Sequence, residues 1–257
     1  MRRTVGRVAA LYRYPVKSMA AEPLDSVDVS WNGLAGDRRW GFVRPDSGGD
    51  GFPWLTLRQH HELGTYRPRV TDPGRPDASG VTVRTPAGTE RDVLDPALAA
   101  ELGGHPMKLD RGTFDSAPVS LLTTRSLTDL AGLLGSPPGP GRFRPNILVE
   151  TGEPEENWVG GTVTLGGVRV RADRRDRRCV VVTIDPRTGR RSPEVLRAIA
   201  THRAGTFGLY GTVELPGRLA VGDPVVVEAP DHPTPDHPAA DPPAAGGPVT
   251  GRTRIES

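Results

Sequence analysis

The sequence predicts a mainly β protein with a few helices. An N-terminal β-barrel-like domain spans 1–90, a second β-barrel domain spans 91–229, and a disordered, Pro-rich tail covers 230–257. Three observations carry this reading. Short apolar or alternating runs, punctuated by Gly and Pro, recur along the chain, as in sandwiches and barrels. Only two segments have a clear helical period. The last 28 residues hold seven prolines and no apolar periodicity, so they bury too little to offset the entropy of ordering.

Val8 to Tyr14 reads as a strand entering a turn at Pro15. Ser26 to Ser30 alternates, with Val27 and Val29 on one face, and meets Asn32-Gly33, a hairpin-type dipeptide. Strands follow at Arg39 to Val43 and Val81 to Thr85, and Lys108 falls on another short one. The two domains part between Val81–Thr85 and the segment Asp95 to Gly104. A first helix starts at a Thr123/Thr124 cap, puts Leu127, Leu130, Leu133 and Leu134 on one face, and ends at Gly135. Ile147 to Glu150, Thr162 to Leu165 and Val168 to Ala172 are strands, and Gly166-Gly167 between the last two has the length of a hairpin loop. Val180 to Ile184 reads as a strand opened by Cys179. A second helix has Ser192 as cap, Pro193 at its first position, and Val195, Leu196 and Ile199 as its apolar stripe. Pro224 to Glu228 is the last strand.

Composition narrows the function. The 257 residues are enough to bury a sizeable core. No run of 18 apolar residues spans a membrane, and the first residues lack the apolar stretch of a secretory signal. One cysteine makes no internal disulfide, no structural zinc site and no Fe–S cluster in this chain, and it fits a reducing, cytoplasmic setting. Of the 33 basic residues only Lys17 and Lys108 are lysine. With a net charge of +2 and acids scattered throughout, a dedicated nucleic-acid binder is not expected.

Several residues are suited to chemistry, and each has an ordinary explanation. Cys179, the only thiol, follows Arg174, Arg175, Arg177 and Arg178, a positive setting for a nucleophile or metal ligand; the alternative is an inert buried cysteine. Asp185 opens Asp185-Pro186-Arg187-Thr188-Gly189, which by itself is a turn. Arg142 and Arg144, two apart before Asn146, lie on one side of an extended chain, where they can grip an anion or face solvent. Lys17 and Ser18 sit at a strand end, and Arg38 lies in the polar turn Gly36-Asp37-Arg38-Arg39-Trp40. His60-His61 beside Glu62 has no third ligand in register and reads as a solvated pair.

In order along the chain these pieces gain weight. Y-P-V-K-S at 14–18, G-D-R-R-W at 36–40, T-L-R-Q-H at 56–60, R-F-R-P-N at 142–146, R-C-V-V-V-T-I-D-P-R-T-G at 178–189, F-G-L-Y at 207–210 and V-G-D-P-V at 221–225 together resemble the MOSC family, in which an N-terminal MOSC β-barrel domain precedes a MOSC domain. That family includes the mitochondrial amidoxime reducing component, its bacterial counterparts and the C-terminal part of molybdenum cofactor sulfurases. The resemblance covers roughly Val8 to Val227.

The resemblance implies a molybdenum cofactor (molybdopterin), with Cys179 as the molybdenum ligand and Lys17, Ser18, Arg38, Arg144 and Asn146 holding its phosphate and pterin. A soft thiolate suits the metal, and Lys and Arg suit a phosphate. A family segment of Asp, two hydroxyl residues and Pro matches Asp115-Ser116-Ala117-Pro118, where Ala117 replaces one hydroxyl and leaves Ser116 as the weaker match. The implied activity is an oxidoreductase reducing N-hydroxylated small molecules. Electrons would come from an external ferredoxin- or flavoprotein-type partner, and Asp185 would orient the chain near the metal. The alternative is a sulfur or molybdenum-cofactor carrier, using Cys179 as a persulfide without reductase activity. Pyridoxal phosphate, used by the sulfurases in a separate N-terminal domain, is not expected in this chain.

Overall fold

A computed structural model describes residues 2–45, 52–114 and 116–229. The tail assigned to 230–257 lies outside the described residues, as does Asp115. In chain order the elements are β1 (Arg2–Arg13), β2 (Glu22–Leu24), β3 (Ser26–Ser30), β4 (Gly33–Leu34), β5 (Trp40–Val43), β6 (Arg67–Val70), β7 (Val81–Arg84), β8 (Glu90–Asp92), α1 (Pro96–Leu102), β9 (His105–Lys108), β10 (Val119–Thr123), α2 (Thr124–Leu134), β11 (Ile147–Thr151), β12 (Thr162–Leu165), β13 (Val168–Arg177), α3 (Pro193–His202), β14 (Thr206–Leu215), β15 (Gly217–Ala220) and β16 (Pro224–Glu228).

The largest sheet runs β11-β10-β14-β13-β12-β16-β1-β2. Because β1 pairs antiparallel with both β16 and β11, seven of these strands close into a barrel, and β2 hangs on its rim. The N-terminal strand is therefore a stave of the barrel built from the C-terminal half. β10 and β11 pair in parallel, and α2 is the crossover that such a pair requires. Alternation drives the interior: Val163 and Leu165 on β12, Val170 on β13 and Val225 and Val227 on β16 point inward, and Trp158, fully buried, belongs to the same core. Outside the barrel, α2 and α3 pack Leu130, Val195 and Ile199 against Phe143 and Phe207, whose ring centroids lie 4.4 Å apart.

Beside the barrel, β5 pairs with β9 and β6-β7-β8 form a small sheet, sharing a second core of Val16, Met19, Trp40, Leu63, Val83 and Leu98. The chain segment 14–19 supplies Val16 and Met19 to that core directly after β1 leaves the barrel. It is the seam between the two cores.

Three local expectations change. The Asn32-Gly33 turn moves back by one residue: Trp31 and Asn32 form the loop, and Gly33 pairs with Ser30 in β4. Val180 to Ile184 is not a strand; Val180–Thr183 is a 3-10 helix. The pairing partner has run out, because β13 and β14 end their ladder at Arg177 opposite Thr206. The backbone then closes on itself, Val182 N–H donating to Cys179 O at 3.2 Å and Ile184 N–H to Val181 O at 3.0 Å. Finally, Arg142 and Arg144 do not share a side. Arg142 ends a 3-10 turn and Arg144 adopts φ 54°, so the alternation of an extended chain never applies.

Candidate functional site

The seam gathers charge. After β1, Tyr14 N–H donates to Asp37 at 2.6 Å, and Lys17 N–H donates to Trp40 O at 2.8 Å, which fastens segment 14–19 to the Gly36–Trp40 turn. Arg38 N–H returns the tie to Tyr14 O at 2.7 Å. Thr113 bridges the two cationic residues: its N–H donates to Arg38 O at 2.7 Å, and its own carbonyl accepts from Lys17 Nζ at 2.7 Å. From the other side Arg144 donates to Met19 O at 2.7 Å and lays its guanidinium over the Tyr14 ring, 4.3 Å from the centroid. Arg38 lies over the same ring at 5.3 Å. Lys17, Arg38 and Arg144, far apart in sequence, are thus joined around Tyr14 and Thr113.

Their backbone is unusual. Among the described residues, four that are not glycine have positive φ: Ser18 (68°), Arg38 (52°), Arg144 (54°) and Ala204 (50°). Three of the four are cofactor-binding candidates. Left-handed backbone at a non-glycine residue costs on the order of 1–3 kcal/mol and gathers at sites where geometry serves a ligand.

Two buried acids accompany the cations. Asp37 accepts from Tyr14 N–H and, at 3.2 Å, from Asn146. Burial pushes its carboxyl upward, opposed by Arg38, the Tyr14 N–H, Asn146 and Arg144. Burial also raises the Tyr14 phenol, against the pull of Arg144 and Arg38. Asp176, near the end of β13, pairs with Arg178 at 2.8 Å. Burial raises its carboxyl to about 6, opposed by Arg178, a Tyr210 hydrogen bond, Arg38 and Arg174. The charge of Asp176 links the Arg38 cluster to Arg178, and the next residue is Cys179. Cys179 is exposed at the end of β13, with the Arg58 guanidinium 3.9 Å from its Sγ.

The remaining candidates divide. Ser18 sits buried within the seam. Asn146 also joins it, but its amide donates to Tyr12 O and Asp37, and its carbonyl oxygen accepts from Ser120 N–H. The side chain expected at a pterin edge is spent on orienting Asp37. Ser116 is exposed, and its backbone carbonyl accepts from Arg174 at 3.4 Å. The Asp185 carboxylate accepts from Arg187 N–H at 2.8 Å and pairs with Arg142 at 3.2 Å, an Asx turn tied to the loop before β11. Arg142 therefore braces segment 183–192 instead of joining Arg144. The sequence reading missed Thr113 and Asp176, and it left Arg58 unassigned inside T-L-R-Q-H. Asp176 was hidden in R-R-D-R-R, which reads as a solvated charge run.

Comparison with known proteins fits this layout. The MOSC N-terminal beta barrel domain matches residues 5–110, and the MOSC domain matches 104–226. The chain belongs to the MOSC family. A molybdenum cofactor sulfurase from Drosophila mojavensis is 28% identical across 86% of this chain and 35% of its own length. Mitochondrial amidoxime reducing component 2 from Rattus norvegicus is 33% identical across 43% of this chain and 37% of its own. The chain thus spans about a third of the length of these curated relatives. Among solved structures, the YUAD protein from Bacillus subtilis superposes with a TM-score of 0.50 at 17% identity, covering 89% of this chain and 98% of that one, a likeness of fold. In the MOSC protein described here, no helix among the described residues is long and apolar enough to cross a membrane.

Proposed function

We propose that this MOSC protein binds a molybdenum-containing pterin through its phosphate and reduces N-hydroxylated compounds with electrons from a separate protein. The observation that carries the reading is the convergence of Lys17, Arg38 and Arg144 on Tyr14 and Thr113, two of the three on left-handed backbone. Lys and Arg side chains gathered from three segments are the donors that suit a dianionic phosphate. The donor set fits: hard cations for phosphate in the seam, and one soft sulfur at the rim for the metal.

When bound, the cofactor would supply the two-electron redox chemistry that reduction of an N–OH group requires. The chain supplies the rest. Lys17 and Arg144 grip the anion, and Asp37, oriented by Asn146, holds Arg38 in place. Cys179 offers its sulfur from an exposed position, so a substrate reaches the metal side from solvent. Arg58 keeps a positive charge beside that sulfur. The same exposure favours a second reading, a carrier that passes sulfur from a Cys179 persulfide to a partner.

One variant separates the readings. Cys179→Ser replaces the soft ligand by a harder one, so N-reduction is lost while pterin stays bound by the seam. A carrier instead shows a reductant-labile persulfide on wild-type Cys179 by mass and no N-reduction in the wild type. Unchanged N-reduction by Cys179→Ser removes the metal-ligand assignment.

A further inference from the structure

We infer that the face around Cys179 is the docking surface for an acidic one-electron-transfer protein, an inference that rests on the reductase reading. An open apolar groove of about 330 Å³ starts at Val180, the residue after Cys179, and runs along α3 over Pro193, Leu196 and Ala200, with Arg191 and Arg197 at its edges. Arg191 also lines a neighbouring hollow with Arg190 and His61. That hollow carries the surface to segment 58–62, where Arg58 touches the Cys179 sulfur. One continuous face therefore has an apolar centre and four exposed arginines, and the only thiol of the chain lies within it.

The charges on this face are unspent. Among the described residues, no ion pair engages Arg190, Arg191 or Arg197. The carboxylate beside them, Asp185, is taken by Arg142. Glu62 and Glu194 are the other acids on these segments, so the cations dominate. An apolar centre with a charged rim is the anatomy of a transient protein interface, and unpaired arginines steer an acidic partner to it. Four arginines on three segments outnumber the charges of a small substrate, which argues for a protein.

A redox protein suits the position. Reducing an N–OH group to N–H and water takes two electrons and two protons. The lone cysteine builds no cluster in this chain, so each electron comes from one docked donor whose reduced centre is oxidised by one electron. The protons come from solvent. The exposed residues around Cys179 let a donor's centre approach the metal side.

An acidic [2Fe–2S] ferredoxin serves as probe, with basic cytochrome c as the opposite-charge control, and binding to the cofactor-loaded protein is followed by calorimetry. Wild type should bind ferredoxin and not cytochrome c, with affinity falling on the order of tenfold as salt shortens the screening length. In Arg190→Glu/Arg191→Glu/Arg197→Glu the affinity and the ferredoxin-supported rate should fall by tenfold or more, while dithionite-driven N-reduction stays at the wild-type rate. The milder Arg191→Gln/Arg197→Gln should fall in between. Absence of ferredoxin binding by wild type, insensitivity to salt, or undiminished binding by the triple Glu variant overturns the docking surface. Ferredoxin binding by a wild type that reduces no N-hydroxylated compound with dithionite retains the surface and removes the reductase reading.

Discussion

Leu121, Val163, Val170 and Leu209 in the barrel and Lys17, Asp37, Asn146 and Asp176 in the seam are comparably buried, yet they hold their places for opposite reasons. The barrel residues leave water at a gain of about 25 cal/mol per Å² of apolar surface, and each lies on a strand whose neighbours agree with it. The seam residues leave water at a cost, because a buried charge is repaid only by close partners. Three candidate cofactor residues there also carry left-handed backbone, whereas the barrel strands carry that conformation only at glycine. The difference teaches where this molecule stores stability and where it spends it. The barrel is held by apolar burial, and the seam by the close partners of its buried charges.

The comparison breaks first at the barrel. Leu209→Ala, in a fully buried position, should lose about 2–5 kcal/mol in urea denaturation and leave the cofactor content of the folded fraction unchanged. A loss of pterin as large as that of a seam variant would merge the two regions.

Asp176 sharpens the comparison through pH. Burial lifts its carboxyl from the ordinary 3.8 to about 6 in the fold, so the native state holds an extra proton between these values. The stability due to the neutral acid is present at low pH and lost as pH rises from about 4 to about 7, about 3 kcal/mol in all. Asp176→Asn cannot titrate, so the stability of wild type relative to this variant should fall over that range and level off above it. A flat difference between pH 4 and 7 would mean that Asp176 is not desolvated.

Ser18→Gly is the smallest test. With φ at 68°, glycine removes left-handed strain and should stabilise the cofactor-free protein by about 1 kcal/mol or less, a rise of a few degrees in Tm. A lower Tm would show that Ser18 supports the fold rather than a ligand.

Much of the strand pattern was legible in the sequence. Ser26–Ser30, Thr162–Leu165 and Pro224–Glu228 alternate plainly and occur as read, and both helices start at the expected residues. Thr123 caps its helix through Ser126 N–H, whereas Ser192 makes no side-chain capping bond. β14 was hidden because Gly208 and Gly211 interrupt its apolar pattern. Gly208 has φ 88°, and a Cβ on Gly211 would lie 2.7 Å from Arg171 O, so close strand approach excludes the side chains that mark a strand. β10 was hidden for another reason, since all five of its residues are buried and nothing alternates. In the seam, the residue types of Lys17, Arg38 and Arg144 were visible, but their convergence depends on long-range ties through Tyr14 and Thr113 that no local spacing encodes. Cys179 was legible as the only thiol, while its exposure follows from β13 losing its partner at Thr206.

The central claim is that the seam cations hold a cofactor phosphate. The most direct measurement is the molybdenum and released pterin per chain in wild type and Arg144→Ala, both purified from a host that makes the cofactor. The account predicts near-stoichiometric pterin in wild type, a loss of tenfold or more in Arg144→Ala, and apo-protein stabilities within about 1 kcal/mol of each other. A wild type without pterin, or an Arg144→Ala protein that keeps its full complement, would contradict it.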